Sequence, residues 1–347
     1  MEQQERSKML GTMPMGRLVP KVSVPIMVSM LVQALYNIVD GIFVARYSPN
    51  ALTAVSLAFP IQLLMIAVAT GLGVGINSLI SRKLGQKRAE EAREAARCGM
   101  LLELCGFVVF LLFGLLGSHS FFHVFTPDPE LQQMAGDYLR IVTVFSFGLF
   151  LSISFERMMQ ATGNTMLSMT TQLTGAVINI ILDPIMIFGL LGTPQMGVAG
   201  AGYATVLSQF ISGLLCLLYM IKKFPILHLQ KKDWVFRRAT CLHLLKVGAP
   251  MAFQFSITAI GVITLQGAVN SFGSSVTAGF TAASKVETLT QQLMSTLSTT
   301  TATFVGQNRA HPRGRAPLPP DHGHQLPGSD RHRLSVLARL RLTLYLR

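Results

Sequence analysis

The 347 residues are half hydrophobic and only 13% charged, whereas a soluble domain carries about 25% charge, and the mean hydropathy is +0.47; a water-soluble globular fold is excluded. A formal net charge of +13 would suit nucleic acid, but outside the C-terminal tail the bases lie mostly in short connections between apolar runs, where they set membrane orientation. The composition gives an all-α polytopic membrane protein with the lipid bilayer as partner and no nucleic acid.

Eight apolar runs are long enough to cross about 30 Å of hydrocarbon: residues 22–45, 51–80, 98–118, 134–160, 167–191, 197–221, 243–270 and 277–305. The first is too long, and too polar at its centre, for a signal-peptide core, so no cleavable targeting segment is expected. Basic connections alternate with poorly charged ones. Arg6, Lys8, Arg17 and Lys21 precede span 1; Arg82, Lys83, Lys87, Arg88, Arg93 and Arg97 join spans 2 and 3; Lys222, Lys223, Lys231, Lys232, Arg237 and Arg238 join spans 6 and 7. Arg157 adds a base near the junction of spans 4 and 5. The Lys/Arg count puts these connections and the N-terminus in the cytoplasm.

Span 1, VSVPIMVSMLVQALYNIVDGIFVAR, spaces Gln33, Tyr36, Asn37 and Asp40 at three and four residues, so one helix face carries a polar stripe aimed at protein or water. Pro25 withholds an N–H nearer the cytoplasmic end and permits a bend. In span 4, Tyr138 falls near one end, where a tyrosine suits the membrane interface. Span 5 contains VINIILDPIMIFGL, with Asn179 and Asp183 one turn apart and Pro184 next. An aspartate at bilayer depth costs about 2.5–3.5 kcal/mol on insertion scales, and an interhelical hydrogen bond returns only about 0.6 kcal/mol. Packing alone therefore does not offset an ionised acid, although protonation would lower the cost. Asp40 and Asp183 read as acids that hold a proton or a small hard cation such as sodium, each beside an amide. In span 6, Thr205 offers a hydroxyl to the same cavity, or a bond to its own helix.

KVSVP at 21–25 and KVGAP at 246–250 each open a long apolar run, and SRKLGQ at 81–86 answers ATFVGQ at 302–307 two spans later. These matches suggest duplicated halves, with spans 7 and 8 repeating spans 1 and 2. After Asn308 the chain changes character, with five prolines, eight arginines, four histidines and no lysine. That change points to a shifted reading frame ending an originally longer protein; a native basic tail is the other reading. His311, His322, His324 and His332 match no common zinc spacing. The four cysteines are scattered and imply neither a disulfide framework nor a metal centre. No nucleophile with a paired base, metal cluster or phosphate-binding glycine loop marks an enzyme.

QALYNIVDGIFVAR in span 1, GLGVGINSLISRKLGQ closing span 2, FERMMQATGNT between spans 4 and 5, INIILDPIMIFG in span 5 and FVGQN closing span 8 together resemble the MATE family of multidrug and toxic compound extrusion transporters, in its bacterial multidrug branch. The resemblance covers about residues 17–308. It implies a two-lobe helix bundle in which residues 1–222 are a six-helix N-lobe, 223–242 a basic linker, 243–308 two helices of a C-lobe, and 309–347 the basic tail. Where the family has twelve spans, this chain has eight.

The resemblance further implies export of amphipathic or cationic small molecules across a bacterial cytoplasmic membrane in exchange for protons or sodium, with no cofactor beyond that coupling ion. Asp40, Asn179 and Asp183 match the family's cation site, with Thr205 less closely placed and Tyr138 nearby. Gln33, Tyr36 and Asn37 would line the substrate path, and Pro25 matches a proline associated with bending of the first helix. The alternatives are a flippase for lipid or polysaccharide precursors, or a transport-inactive membrane fragment. The flippase should show a cationic central cavity, and spans 1 to 6 hold little internal lysine or arginine.

Overall fold

A proline in the first turn behind a capping side chain opens the helices that begin at Pro49 and Pro129, and the Asn164 side chain caps the one that begins at Thr165. The computed structural model describes residues 15–125, 128–224 and 237–270, with single positions between 280 and 301. Helix α1 spans Met15–Tyr47. Ser48 accepts from the Asn50 amide and Pro49 occupies the first turn, so α2, Pro49–Gly85, starts almost without a loop. Helix α3 is Ala89–Leu116, α4 is Ser118–Phe125 and α5 is Pro129–Val144, capped by Asp128. Helices α6, Phe147–Ala161, and α7, Thr165–Phe188, follow. Gly189 closes α7 at φ 74°, α8 is Val198–Lys223, and α9 is Arg238–Asn270.

Six of the described helices are long and apolar enough to cross a membrane, namely α1, α2, α3, α7, α8 and α9, and α5 with α6 makes a seventh crossing bent by 45°. The fold is all-α, and the chain is a multi-pass membrane protein. Its outward surface is what a bilayer requires, because Phe253, Ile257 and Ile260 on α9 are 70%, 66% and 61% exposed. The seven crossings coincide with expected spans 1 to 7. Most of the eighth, 277–305, lies outside the described residues, as do the tail and its histidines. The described positions of span 8 are helical and reach α1, with Ser23 Oγ donating to Thr300 Oγ1 at 3.1 Å.

Two buried clusters fill the bundle. One groups Val44, Ala54, Met65, Tyr138, Leu149, Phe150 and Ile187 toward the outer side. The other groups Ile76, Ile80, Cys98, Met158, Met220 and Leu244 toward the expected cytoplasmic side. Helix α9 lies along α2, with Gly71 against Ala252 and Gly75 against Gly248. A Cβ on Gly71 would lie 2.4 Å from the Ala252 nitrogen, so GLGVG and KVGAP meet as small residues that let two helix backbones touch.

Three expectations are corrected. Span 4 is not one straight helix. Thr143 Oγ1 bonds the Leu139 carbonyl at 2.6 Å and Ser146 Oγ bonds the Thr143 carbonyl at 2.7 Å. Hydroxyls competing for helical carbonyls bend the chain without any proline. The stretch after span 3 holds a short helix, α4, rather than only a loop, because Phe122 is wholly buried beneath it. The basic connection between spans 2 and 3 shrinks to a turn, because Arg82, Lys83, Arg93 and Arg97 extend the helices themselves. Arg157, inside the expected span 4, is a half-buried residue of α6.

Candidate functional site

Helices α1 and α7 pack side by side along much of their length. That contact joins residues far apart in sequence near the outer ends of both helices. Asp40 and Asp183 approach within hydrogen-bonding range of each other. Asp183 is wholly buried and Asn179 is 1% exposed, and the Asn179 amide donates to Asp183 Oδ1 at 3.3 Å. Pro184 withholds the N–H that would bond the Ile180 carbonyl on the same turn. Gly189 then ends the helix.

Tyr138 belongs to this site and not to the interface expected of it. Its ring is 2% exposed, its hydroxyl accepts from Gln62 Nε2 at 3.1 Å, and it lies in electrostatic reach of both acids. The interface reading failed because α5 enters the bundle against α2 and α8 before the bend. Phe43 and Phe188 meet edge to face, with centroids 6.4 Å apart, and close α1 on α7 beyond the acids. Further out, Tyr47 packs on Gly197, whose φ of 55° and 2.7 Å clearance leave no space for a side chain.

Three buried oxygens here, Asp40 Oδ1, Asn179 Oδ1 and Asp183 Oδ2, take no hydrogen bond from the described protein. Two carboxylates this near repel unless a proton or a small cation sits between them. The donor set, two carboxylates and an amide oxygen, suits either. The polar stripe of α1 divides. Tyr36 is half-buried beside Asp40 and also contacts Gln33, whereas Gln33 and Asn37 are exposed and Asn37 Nδ2 bonds the Gln33 carbonyl at 2.9 Å. Thr205 is half-buried on α8, where its carbonyl accepts from Ser208; no described contact joins its hydroxyl to the acids. Pro25 is buried, and α1 remains one helix through it. Among the described residues no group of three or more His, Cys, Asp and Glu is arranged to hold a metal ion.

A family model described as MatE matches residues 25–185, which include both acids and Asn179. Structures agree over more of the chain. A MOP superfamily transporter from Pyrococcus furiosus superposes with a TM-score of 0.80 at 28% identity, covering 87% of this chain and 66% of that one. This chain is similar to the MATE family in sequence and in fold.

An outward-facing multidrug resistance MATE family transporter gives a TM-score of 0.77 at 29% identity, over 84% of this chain and 64% of that one. Among curated relatives, the probable multidrug resistance protein YoeA of Bacillus subtilis is 25% identical over 82% of this chain and 62% of its own length. The FAD transporter of Shewanella oneidensis is 25% identical over 85% of this chain and 65% of its own length. The chain thus spans less than two thirds of these curated relatives. The family is one of membrane transporters, not enzymes.

Gln62 was missed by sequence reasoning. Its signal was available, since it is a lone amide shortly after Pro60 within an apolar run that otherwise holds nothing stronger than hydroxyls until Asn77.

Proposed function

We propose that this chain carries the cation-exchange half of a MATE antiporter, in which Asp40 and Asp183 alternately hold a proton or sodium ion and release it when an amphipathic or cationic molecule binds. The observation that carries this reading is the carboxyl pair, with Asp183 wholly buried and Asp40 half-buried, and three buried oxygens left without protein donors. Asn179 and Tyr138 hold and orient the acids, and Thr205 approaches them when the bundle rearranges. Gln33, Tyr36 and Asn37 line the substrate path, and Pro25 is where α1 bends between states. Residues 1–222 act as one lobe and 243–308 as part of the other, with the N-terminus cytoplasmic in a bacterial inner membrane. Occupied carboxyls and bound substrate favour opposite arrangements of the same helices, so binding at one site is coupled to release at the other. An acidic site of this kind does not favour the flippase reading, which calls for a cationic cavity against phosphate.

The test is equilibrium binding of tetraphenylphosphonium to the purified chain in detergent, with sodium and protons varied separately and FAD as a competing ligand. Binding should be weakened by one of the two ions in the parent and lose that dependence in Asp40→Asn. An ion dependence that survives in Asp40→Asn and in Asp183→Asn alike removes the proposal.

A further inference from the structure

A second set of buried charges lies on the cytoplasmic side of the carboxyl pair, and the exchange scheme above makes no use of it. Glu103 on α3 is 2% exposed, and neither of its carboxyl oxygens takes a hydrogen bond from the described protein. Facing it from α6 is Arg157, whose side chain packs on Gly73 of α2 and whose Nε is also buried without an acceptor. Next to Arg157, Glu156 is 9% exposed. Gln160 Nε2 donates to Glu156 at 2.8 Å and to Ser168 Oγ at 3.1 Å, and Arg157 Nη1 donates to Gln160 Oε1 at 3.2 Å. Gln172 on α7 also reaches Glu156 while its own oxygen lacks a donor.

Two carboxylates and one guanidinium sum to a single negative charge, which one proton neutralises. Buried polar atoms without protein partners are satisfied by water or not at all, and here they come from three helices at one level of the bundle. Helix α7 connects this level to the acids, because Ser168, Gln172, Asn179 and Asp183 recur at four, seven and four residues on its buried side, interrupted by the small Ala176. The 15 residues from Ser168 to Asp183 rise about 22 Å. Toward the cytoplasm the next charged group of α3 is Arg97, followed by Glu94, which Arg237 and Thr240 of the α9 end engage.

We propose that Glu103, Glu156 and Arg157 form a hydrated proton-relay centre inside the first six spans, which accepts a proton from Asp183 along α7 and passes it to the cytoplasm. The relay rests on the reading of the Asp40–Asp183 pair as an exchange site, and its chemistry is proton transfer between carboxyl oxygens through water, with no other bond made or broken. Glu103 and Glu156 act on the pair from a distance and are positioning and relay residues.

Infrared spectroscopy of the full chain in lipid, transferred from H2O to D2O, tests this without requiring transport. Glu103→Gln should remove a carboxylic-acid C=O component that shifts in D2O. The component assigned to Asp183 by its loss in Asp183→Asn should exchange about a hundredfold more slowly in Glu103→Gln, the low end of what a positioned acid–base group contributes to proton transfer. Glu103→Asp should restore the rate, and Glu156→Gln should slow it similarly, which guards against a folding defect peculiar to one variant. A Glu103 component that is missing or fixed in D2O, no exchanging Asp183 component, or an unchanged Asp183 exchange rate in both glutamine variants overturns the relay. Failure of the tetraphenylphosphonium experiment would strike the carboxyl-pair reading instead and leave the Glu103 component unaffected.

Discussion

Asp183→Asn changes one atom's identity in a side chain that is wholly buried, so the fold is retained while the charge is removed. The Asn179 bond at 3.3 Å can persist to the new amide oxygen, and repulsion with Asp40 disappears. A bound cation loses a charged oxygen contact, worth about 1.5–3 kcal/mol, or roughly tenfold to a hundredfold in Kd. Ligand linkage converts that into stability. At a sodium concentration of about 100 Kd the parent gains about 2.7 kcal/mol, whereas a variant bound about a hundredfold more weakly gains only about 0.4 kcal/mol. Thermal unfolding of the purified chain, followed by circular dichroism across a sodium series and separately across pH, measures both. The variant without added sodium should be at least as stable as the parent, and the ion-dependent rise in Tm should largely vanish. If Asp183→Asn keeps the parent's response to both sodium and protons, Asp183 is a packing residue and the argument from its burial fails.

Gln62→Leu removes the donor to the buried Tyr138 hydroxyl, at a cost of about 1–3 kcal/mol, and should weaken ion binding without touching either acid; an unchanged Tm and ion affinity would show that Tyr138 needs no such support. Gly71→Val places a side chain where a single Cβ already meets the Ala252 nitrogen at 2.4 Å. Overpacking of this kind costs about 1–3 kcal/mol. Here it should loosen α9 from α2, seen as faster amide exchange across 246–256 with little change across 165–188, and equal exchange in both regions would refute the close-contact argument.

The crossings were legible because hydrocarbon is an unforgiving solvent. A segment either satisfies its backbone within a helix and shows apolar side chains or it does not cross, so spans 1 to 7 emerged from local composition. Asp40, Asn179 and Asp183 stood out for the same reason, as polar groups where polarity is costly. Helix ends were less legible, since Arg82 and Lys83 continue α2 beyond the apolar run, where backbone hydrogen bonds do not depend on lipid. The bend between α5 and α6 was hidden because hydroxyls at Thr143 and Ser146, not a proline, make it. Residue spacing on one helix also could not place Tyr138 or Gln62, whose positions follow from how α5 and α2 enter the bundle.

By itself, then, the sequence determined that this is an all-α membrane chain with misplaced acids on its first and fifth spans. Only the tertiary structure decided that the two acids face each other, because α1 packs on α7, and that Glu103 looks across at Arg157 rather than at lipid. The physical reason is range. Burial and backbone satisfaction act on a segment alone, whereas the pairing of charges depends on which helices touch.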